Sequence, residues 1–521
     1  MLTSAKWRFA AVVCAAAAGL TTPAATQDPQ AGQTGAPFRE PEVRRSQNGV
    51  LKTTLDLRFA TYRLAGRVLE VPTYEGSIPG PTFRMRPGDT LQIHYTNNLQ
   101  FPKSVADAMA KMPPAMAGGG HGDAEHGDPR MGMLLSNIHT HGLQVSPSGN
   151  ADNPFLIFKP GESFDYEIKL PANQPAGLHW YHPHRHGSSA KQGWAGLGGA
   201  IVVEGAIDKV PEVAAAPERL MLLQEIWVDN DGHVPMGVPI PVAGEVPFST
   251  IPAVPTQVYY SINGVHQPVI RTRPGTVERW RLNNESPHKF ARFSLDGHTL
   301  YQIGQDGIAF AKPMPRKEIL LTPGNRVEVL VKIGARGTYR LRALEYDQGH
   351  PGGPLPEELL ATVVSEGSPV DGRLPATLVA AYPAIGNEPI VARRKVVFSG
   401  NTSMAPVQFF LDGKPFDATR DDAVVKGGTV EEWTLVNEDV FQHPFHIHVN
   451  PFQVVEINGK PVADGIWWDT FPLPARGSIK VRMKFRPDIT GRTVYHCHIL
   501  PHEDNGMMSA FTILPPQGGA K

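Results

Sequence analysis

The chain repeats one short phrase three times, and this repeat limits its possible folds more than any other feature. Each copy contains a glycine turn, a strand in which polar and apolar residues alternate, and an asparagine at the end of the strand. The copies occupy residues 86–98, 273–284 and 427–437, and their turn glycines lie 187 and 153 residues apart. That spacing suits whole domains and is too long for a solenoid. The sequence therefore predicts three homologous β domains.

Short alternating segments indicate which kind of β domain is repeated. Residues 163–168 and 479–485 alternate between polar and apolar types and are bounded by glycine or proline. This pattern is typical of antiparallel sandwiches with one buried face. Linkers fit near residues 205–217 and 366–392, which are rich in proline. We therefore expect domains over residues 48–205, 217–366 and 392–516.

The N-terminus has the features of a secretory signal peptide. Lys6 and Arg8 precede an apolar run over residues 9–20, and a Pro-Ala-Ala sequence follows at 23–25. The run is shorter than the roughly 20 residues that span a bilayer, and no later segment is long and apolar enough to do so. We therefore expect residues 1–26 to be a signal peptide and the protein to be periplasmic or secreted, with no membrane span.

Charge and cysteine content exclude several classes of function. Lys and Arg total 49 against 50 Asp and Glu. The chain therefore lacks the excess of basic residues that is typical of proteins that bind nucleic acid or an anionic membrane. Two cysteines exclude a disulfide scaffold, and removal of Cys14 with the signal peptide leaves Cys497 alone. The 20 histidines favour a metal protein instead. We expect a monomer without a nucleic-acid partner.

Ten of the 20 histidines fall into four short clusters. Each cluster contains a His-x-His pair, and residues i and i+2 of a strand point to the same face. Eight paired imidazoles are too many for one metal ion and suit three copper ions, bound by two, three and three of them. The pairs are His139 and His141, His182 and His184, His446 and His448, and His496 and His498.

A second metal site is predicted on the strand face opposite to His496 and His498. Cys497 lies between the two histidines of that pair, so its side chain points away from theirs. With His443, His502 and Met507 it offers two imidazoles, a thiolate and a thioether, the ligand set of a blue-copper electron-transfer centre. Zinc is the competing metal, but zinc seldom accepts a thioether ligand.

The four clusters and the lone cysteine resemble those of the multicopper oxidases, the family of laccases, bilirubin oxidases and bacterial cuprous oxidases. The resemblance covers the chain after about residue 48. It implies an all-β fold of three consecutive cupredoxin-like Greek-key β-sandwich domains, with a trinuclear copper cluster between the first and the third. Residues 286–290 of the second repeat carry no His-x-His pair. We therefore expect the second domain to be a spacer without copper ligands.

The resemblance also implies four copper ions and assigns their ligands. The type 1 ion would be bound by His443, Cys497, His502 and Met507. The type 2 ion would be bound by His139 and His446. The two type 3 ions would be bound by His141, His182, His184, His448, His496 and His498.

The implied reaction is the oxidation of a reductant by O2. A phenolic or aromatic compound, Cu(I) or another metal ion would lose one electron at a time at the type 1 copper. O2 would take up four electrons at the cluster and form water. Asp152 and Glu503 resemble the family's acidic residues that assist proton delivery. The alternatives are an Asx turn for Asp152 and a solvated loop carboxylate for Glu503.

Three other functions fit parts of this pattern. A copper-sequestering or resistance protein would bind copper without consuming O2. A copper nitrite reductase would share the cupredoxin domains and the blue site, but it lacks four His-x-His pairs. A copper-free scaffold of this fold would have lost Cys497 or one of the pairs, and the sequence retains them all.

An insertion over residues 104–133 is rich in methionine and histidine. Thioethers and imidazoles are ligands for soft Cu(I), so a copper-collecting loop is one interpretation. The other is an insertion with no metal role. The residues concerned are Met109, Met112, Met116, His121, His126, Met131 and Met133.

The histidines outside the predicted ligand sets are expected to have ordinary roles. His179 and His186 flank the second pair, and we expect them to support the site or the fold rather than to bind metal. The others stand alone in the sequence and are interpreted as surface or core residues. They are His94, His233, His266, His298 and His350.

Overall fold

The structure is a computed structural model that describes most of residues 34–516. Within this range it leaves out residues 104–105, 108–130, 235–238, 241–253, 256, 351–352 and 402–406. The predicted signal peptide and most of the Met- and His-rich insertion therefore lie outside the described residues. In the part of the chain that is described, no helix is long and apolar enough to cross a membrane.

The first sandwich pairs a four-stranded sheet with a five-stranded sheet. In hydrogen-bonded order, the smaller sheet contains Arg67–Tyr74, Val50–Leu64, Thr90–Asn97 and Ser163–Lys169. The larger sheet contains Val43–Arg45, Thr82–Met85, Gly199–Val203, Gly177–His182 and His139–His141. Leu91 and Tyr166 of one sheet pack with Phe83 and Tyr181 of the other in a common core.

The second sandwich pairs a seven-stranded sheet with a five-stranded sheet. The larger contains Val265–His266, Gln257–Ile262, Glu218–Val228, Val277–Asn284, Arg326–Lys332, Leu300–Gln305 and Ile308–Arg316. The smaller contains Val269–Thr272, Glu358–Ser365, Gly337–Leu344, Ala291–Leu295 and Ile319–Leu321. A separate short pair joins Pro239–Ile240 to Val254–Pro255. Trp280 and Phe293 meet in the core between the two large sheets.

The third sandwich has the same plan. Its larger sheet contains Gln408–Leu411, Ile390–Asn401, Val430–Asn437, Ser478–Lys484, Phe452–Ile457, Lys460–Pro461 and Trp467–Trp468. Its smaller sheet contains Ala423–Lys426, Met508–Leu514, Gly491–Cys497, His443–Ile447 and Thr470–Leu473. Trp433 and Phe511 lie in the core between them. The predicted fold class, three consecutive cupredoxin-like sandwiches in an all-β chain, is confirmed.

Helical segments are short and lie in the connections. The α-helices of the described residues are Ser189–Trp194, Pro211–Ala215 and Leu500–Asp504, and the 3-10 helices are Met131–Leu134 and Ala206–Lys209. The helix Ser189–Trp194 of the first domain packs against Leu500–Asp504 of the third. The carboxylate of Asp504 accepts hydrogen bonds from the backbone N–H groups of Gly187 (2.6 Å) and Ala190 (2.8 Å). This contact fixes the third domain against the first.

The repeated phrase has the same place in all three sandwiches. Its strand lies between an earlier strand, to which it is parallel, and a later strand, to which it is antiparallel. The turn glycines Gly88, Gly275 and Gly428 have φ values of 88°, 77° and 80°. Because this left-handed conformation is costly for residues with a Cβ atom, glycine is needed at the turn.

The asparagine at the end of each repeat strand closes two loops. The Asn97 side-chain amide donates to the carbonyls of Leu134 (2.7 Å) and Phe158 (2.8 Å), and its oxygen accepts from Leu99 N. The amides of Asn284 and Asn437 form equivalent sets of bonds. These buried bonds explain why the phrase ends in asparagine in all three copies, since buried backbone carbonyls need donors.

Replacing Asn97 by leucine, which has nearly the same shape, should therefore destabilise the first domain. Two buried carbonyls would lose their donors, so we expect the free energy of unfolding to fall by about 2–4 kcal/mol. The neighbouring Asn98 is exposed and bonds to Asp56, so Asn98→Leu should change stability by no more than about 0.5 kcal/mol. Urea unfolding followed by fluorescence measures both. Equal effects of the two substitutions would contradict this role of Asn97.

Candidate metal centre

Cross-strand pairing brings the histidines of each domain together. In the first domain, strand His139–His141 is antiparallel to Gly177–His182, and His139 lies opposite His182. In the third domain, strand His443–Ile447 is antiparallel to Gly491–Cys497, with His446 opposite His496. The four His-x-His pairs therefore project from two strand pairs, one in each sandwich, that face each other across the domain boundary.

The eight paired histidines form three groups that could each hold a metal ion. In the first group, the Nε2 atom of His184 lies 3.1 Å from the Nε2 atoms of both His448 and His496. In the second, His498 Nε2 lies 3.3 Å from His141 Nδ1, and His182 completes the group. The third contains His139 and His446, with His141 beside them.

Several of these imidazoles are held in place by a hydrogen bond to the ring nitrogen that faces away from the group. His139 Nδ1 lies 3.0 Å from the Asp152 carboxylate, and His446 Nδ1 lies 2.8 Å from the Asp469 carbonyl. Similar bonds join His182 Nδ1 to the Pro183 carbonyl and His496 Nδ1 to the Cys497 carbonyl. Hydrogen bonds of this kind fix which nitrogen is presented to a metal.

The donor atoms of these groups fit a metal ion. The Nε2 atoms of His139, His182 and His446 are buried and have no hydrogen-bond partner among the described residues. Burial lowers the pKa values of these three imidazoles, and repulsion by neighbouring histidines adds to the effect at His139 and His182, so the neutral form is favoured. Neutral imidazole is the form that binds metal. A buried orphan nitrogen would cost stability unless an ion occupied the group.

The two acidic residues singled out from the sequence both border the three groups. Asp152 is buried, contacts His139 and accepts a bond from Thr140 N at 2.7 Å. Burial raises the pKa of Asp152 to about 7. Glu503 is fully buried on the helix Leu500–Asp504, so it is not a solvated loop carboxylate. Burial and the neighbouring Asp504 raise its pKa well above the usual value.

Glu503 lies beside two histidines of the same group. Its Oε2 is 3.3 Å from His496 Nδ1, and its Oε1 is 3.7 Å from His184 Nδ1. Ser189 Oγ of the first domain donates to the same carboxyl at 3.4 Å. Its raised pKa favours the protonated carboxyl beside these two imidazoles, whose Nε2 atoms face each other on the opposite side.

The structure also brings together the residues of the predicted blue-copper site. Cys497 Sγ lies 3.4 Å from His443 Nδ1 and 3.7 Å from His502 Nδ1, and the two Nδ1 atoms are 3.2 Å apart. Met507 is fully buried, and its carbonyl accepts a bond from Cys497 N. Burial raises the pKa of the Cys497 thiol, so a thiolate here requires a cation among the ligands.

Several residues near these groups escaped the sequence analysis. Asp439 accepts from His443 Nε2 at 2.8 Å. Asp469 and Thr470 contact His141 and His446, and Arg326 of the second domain is paired with Asp469. Asp439 lies only four residues before His443, a spacing that could have drawn attention to it. Arg326 carries no local signal, because its partner is 143 residues away.

His350 is a core residue, and in the fold it lies in a cluster of rings beside the predicted blue-copper ligands. Its ring lies 5.4 Å from that of His288 and 6.3 Å from that of His502, and it stacks on Phe441. His179 is buried as well. Its buried ring lies against the glycine turns at Gly142 and Gly307, whose added Cβ atoms would collide with it.

Comparisons with known proteins agree with this geometry. Models of the multicopper oxidase family match residues 57–118 with 135–207, 241–360 and 389–517. The multicopper oxidase mco of Staphylococcus aureus is 25% identical over 495 residues, covering 91% of this chain and 90% of its own. The laccase of Bacillus subtilis is 25% identical over 482 residues, covering 85% and 90%.

A solved structure shows the same fold. A multicopper oxidase from Campylobacter jejuni superposes with a TM-score of 0.73 at 23% identity, covering 94% of this chain and 97% of its own. The family models cover parts of all three sandwiches, including the histidine strands of the first and third. The chain therefore belongs to the multicopper oxidases, copper enzymes that oxidise their substrates with O2.

Proposed function

We propose that this protein is an exported oxidase that holds four copper ions and couples one-electron oxidation of a reductant to the four-electron reduction of O2 to water. His443, Cys497, His502 and Met507 would hold the type 1 ion. The type 2 ion would be held by His139 and His446. The type 3 ions would be held by His141, His182 and His498, and by His184, His448 and His496. Copper supplies the one-electron redox chemistry.

The position of Cys497 is the observation that carries this proposal. Its sulfur lies with His443 and His502, while its backbone continues on either side into His496 and His498. These two histidines belong to different type 3 groups. Each group is thus reached from the thiolate through covalent bonds alone, a route suited to electron transfer between the sites.

Asp152 and Glu503 are proposed to deliver the protons that water formation requires. Both are buried and lie against ligand imidazoles, and both have raised pKa values. A carboxyl that keeps its proton near neutral pH can donate it as a general acid. The geometry favours this role over an Asx turn for Asp152, because its carboxylate bonds to residues 12 and 13 positions earlier.

The reductant is proposed to be Cu(I) or a phenol. The methionines and histidines of the insertion suit capture of Cu(I). Sequestration without turnover and nitrite reduction are the competing functions. Oxygen uptake by the copper-loaded protein, measured with Cu(I), Fe(II), a methoxyphenol or bilirubin, distinguishes them. A blue protein that consumes no O2 with any donor would indicate sequestration, and nitrite consumption without O2 uptake would indicate a nitrite reductase.

Cys497→Ser should abolish the proposed type 1 site and leave the cluster ligands intact. We expect loss of the blue absorption band and of oxygen uptake, because a serine hydroxyl does not provide a thiolate ligand. Copper content should fall by about one ion per chain, since the cluster ligands are unchanged. Metal analysis and absorption spectra of the same sample measure both. Persistent oxygen uptake would contradict the proposed electron entry through Cys497.

Glu503→Gln should slow O2 reduction without affecting metal binding. Glutamine keeps the shape of the side chain but donates no proton, so we expect turnover to fall by about 10²–10⁴-fold. Anaerobic reduction of the blue band should stay at the wild-type rate. Glu167 is exposed on the first domain, and Glu167→Gln serves as the control. Unchanged turnover in Glu503→Gln would exclude a proton-delivery role.

The insertion can be tested by removing its ligands while keeping its length. The five methionines of the insertion are replaced by leucine, and His121 and His126 by glutamine. We expect turnover of Cu(I) at low concentration to fall severalfold, because collection of Cu(I) is lost, and turnover of the methoxyphenol to be unchanged. Steady-state oxygen uptake measures both. Equal Cu(I) turnover in the two proteins would mean that the insertion has no role in copper capture.

A further inference from the structure

The second domain contacts the cluster directly, although its sequence contains no predicted ligand. Residues 322–325 form the turn between strands Ile319–Leu321 and Arg326–Lys332. Gly324 in this turn has φ +87°, and a Cβ atom added there would lie 3.0 Å from the His498 ring and 3.1 Å from that of His141. The backbone of the turn therefore packs against two imidazoles of one type 3 group.

One guanidinium in this region forms hydrogen bonds to all three domains. The Arg326 side chain is fully buried. Its Nη1 and Nη2 atoms donate to the two carboxylate oxygens of Asp469 in the third domain, at 2.8 and 2.5 Å. Nε donates to the Leu178 carbonyl of the first domain at 3.3 Å, and Nη1 donates to the Gly324 carbonyl of its own domain at 2.8 Å.

Asp469 connects this guanidinium to ligands of two different groups. His141 Nε2 lies 3.1 Å from the Asp469 Oδ1 atom, which leaves His141 Nδ1 facing His498. The Asp469 carbonyl accepts from His446 Nδ1 at 2.8 Å. The hydroxyl of Thr470 lies 3.3 Å from His141 Nε2 and 3.2 Å from His446 Nδ1. The orientation of both imidazoles thus depends on residues 469–470.

A second contact from the same domain holds these two residues. Asn325 Nδ2 donates to the Thr470 carbonyl at 2.8 Å. The Asp306 carboxylate accepts from Asp469 N at 3.2 Å and from Arg326 N at 2.9 Å. Arg326 therefore holds the side chain of Asp469, while Asn325 and Asp306 hold the backbone of residues 469–470.

We infer that Arg326 is a positioning residue for the trinuclear cluster: its bidentate pair with Asp469 fixes the orientation of His141 and, through residues 469–470, that of His446. The second domain is then a structural part of the cluster rather than a spacer. This inference rests on the proposed function, in which these histidines hold type 2 and type 3 copper. Only arginine offers two parallel donors to a carboxylate and a third to the first domain, so lysine does not replace it.

Arg326→Lys tests the inference, with Arg281→Lys as the matched control. Arg281 is also fully buried in the second domain and pairs with Glu218, Glu328 and Asp208. Both substitutions keep a buried cation, but only Arg326 bonds to a residue that contacts the histidines. Each copper-loaded protein is dialysed against a chelator. Copper per chain, the blue band and the hyperfine coupling of the type 2 copper in its electron paramagnetic resonance spectrum are then measured.

In Arg326→Lys we expect the cluster copper to be retained roughly 10–100-fold more weakly, with an altered type 2 hyperfine coupling. The blue band should be unchanged, because its ligands all belong to the third domain, and it reports that this domain is folded. Arg281→Lys should match the wild type in all three measurements. Wild-type copper retention and hyperfine coupling in Arg326→Lys would overturn the inference, as would an equal change in Arg281→Lys.

Asp469→Asn keeps the test decisive if Arg326→Lys does not fold. In the carboxylate, Oδ1 faces both Arg326 Nη1 and His141 Nε2, while Oδ2 accepts from Arg326 Nη2. An amide replaces one of these acceptors with an NH2 donor, which breaks the bidentate pair. We therefore expect the same weaker copper retention and altered hyperfine coupling. A wild-type spectrum in this variant would overturn the inference. A wild-type protein without a type 2 signal would instead contradict the proposed function, so the two failures can be told apart.

Discussion

Successive side chains of a β-strand point to opposite faces, and both proposed metal sites depend on this alternation at the end of one strand. Strand Gly491–Cys497 places Cys497 inside the third sandwich and His496 outside it, towards the first domain. A shift of one residue in its pairing with His443–Ile447 would exchange the two sides and destroy both sites at once. The buried core around Trp433 and Phe511 therefore does more than stabilise the third domain, because it fixes the register on which the metal ligands depend.

Burial then determines the chemistry of these side chains. Burial lowers the pKa of the imidazoles and raises the pKa of the Cys497 thiol and of the Glu503 carboxyl, so the uncharged form of each is favoured. All three effects have the same cause, the cost of a charge in a poorly solvated interior. In water these groups would be ordinary bases and acids. In the buried interior the imidazoles become neutral donors, the Cys497 thiol needs a cation to become a thiolate, and Glu503 favours its protonated form.

Much of the fold could be predicted from the sequence, because the signals were local or repeated. The alternating strands, the turn glycines and the repeated asparagine at Asn97 each act within a few residues of their own position, and the threefold repeat showed the domain plan. Cys497 and the His-x-His pairs were equally visible, since strand geometry determines which face each residue occupies. Asp469 and Arg326 could not be found in this way. They are 143 residues apart, and neither belongs to a recognisable spacing, so only the packing of three domains shows that they meet.

The contacts of Arg326 with all three domains also bear on how the molecule is assembled. The proposed blue site draws only on residues of the third sandwich, whereas the proposed cluster draws on strands of the first and third and on the arginine of the second. If copper occupies these sites as proposed, a chain whose third domain alone has folded would already be coloured. The ability to reduce O2 would appear only after the last domain has docked. Colour and oxygen consumption would thus report two different stages of maturation.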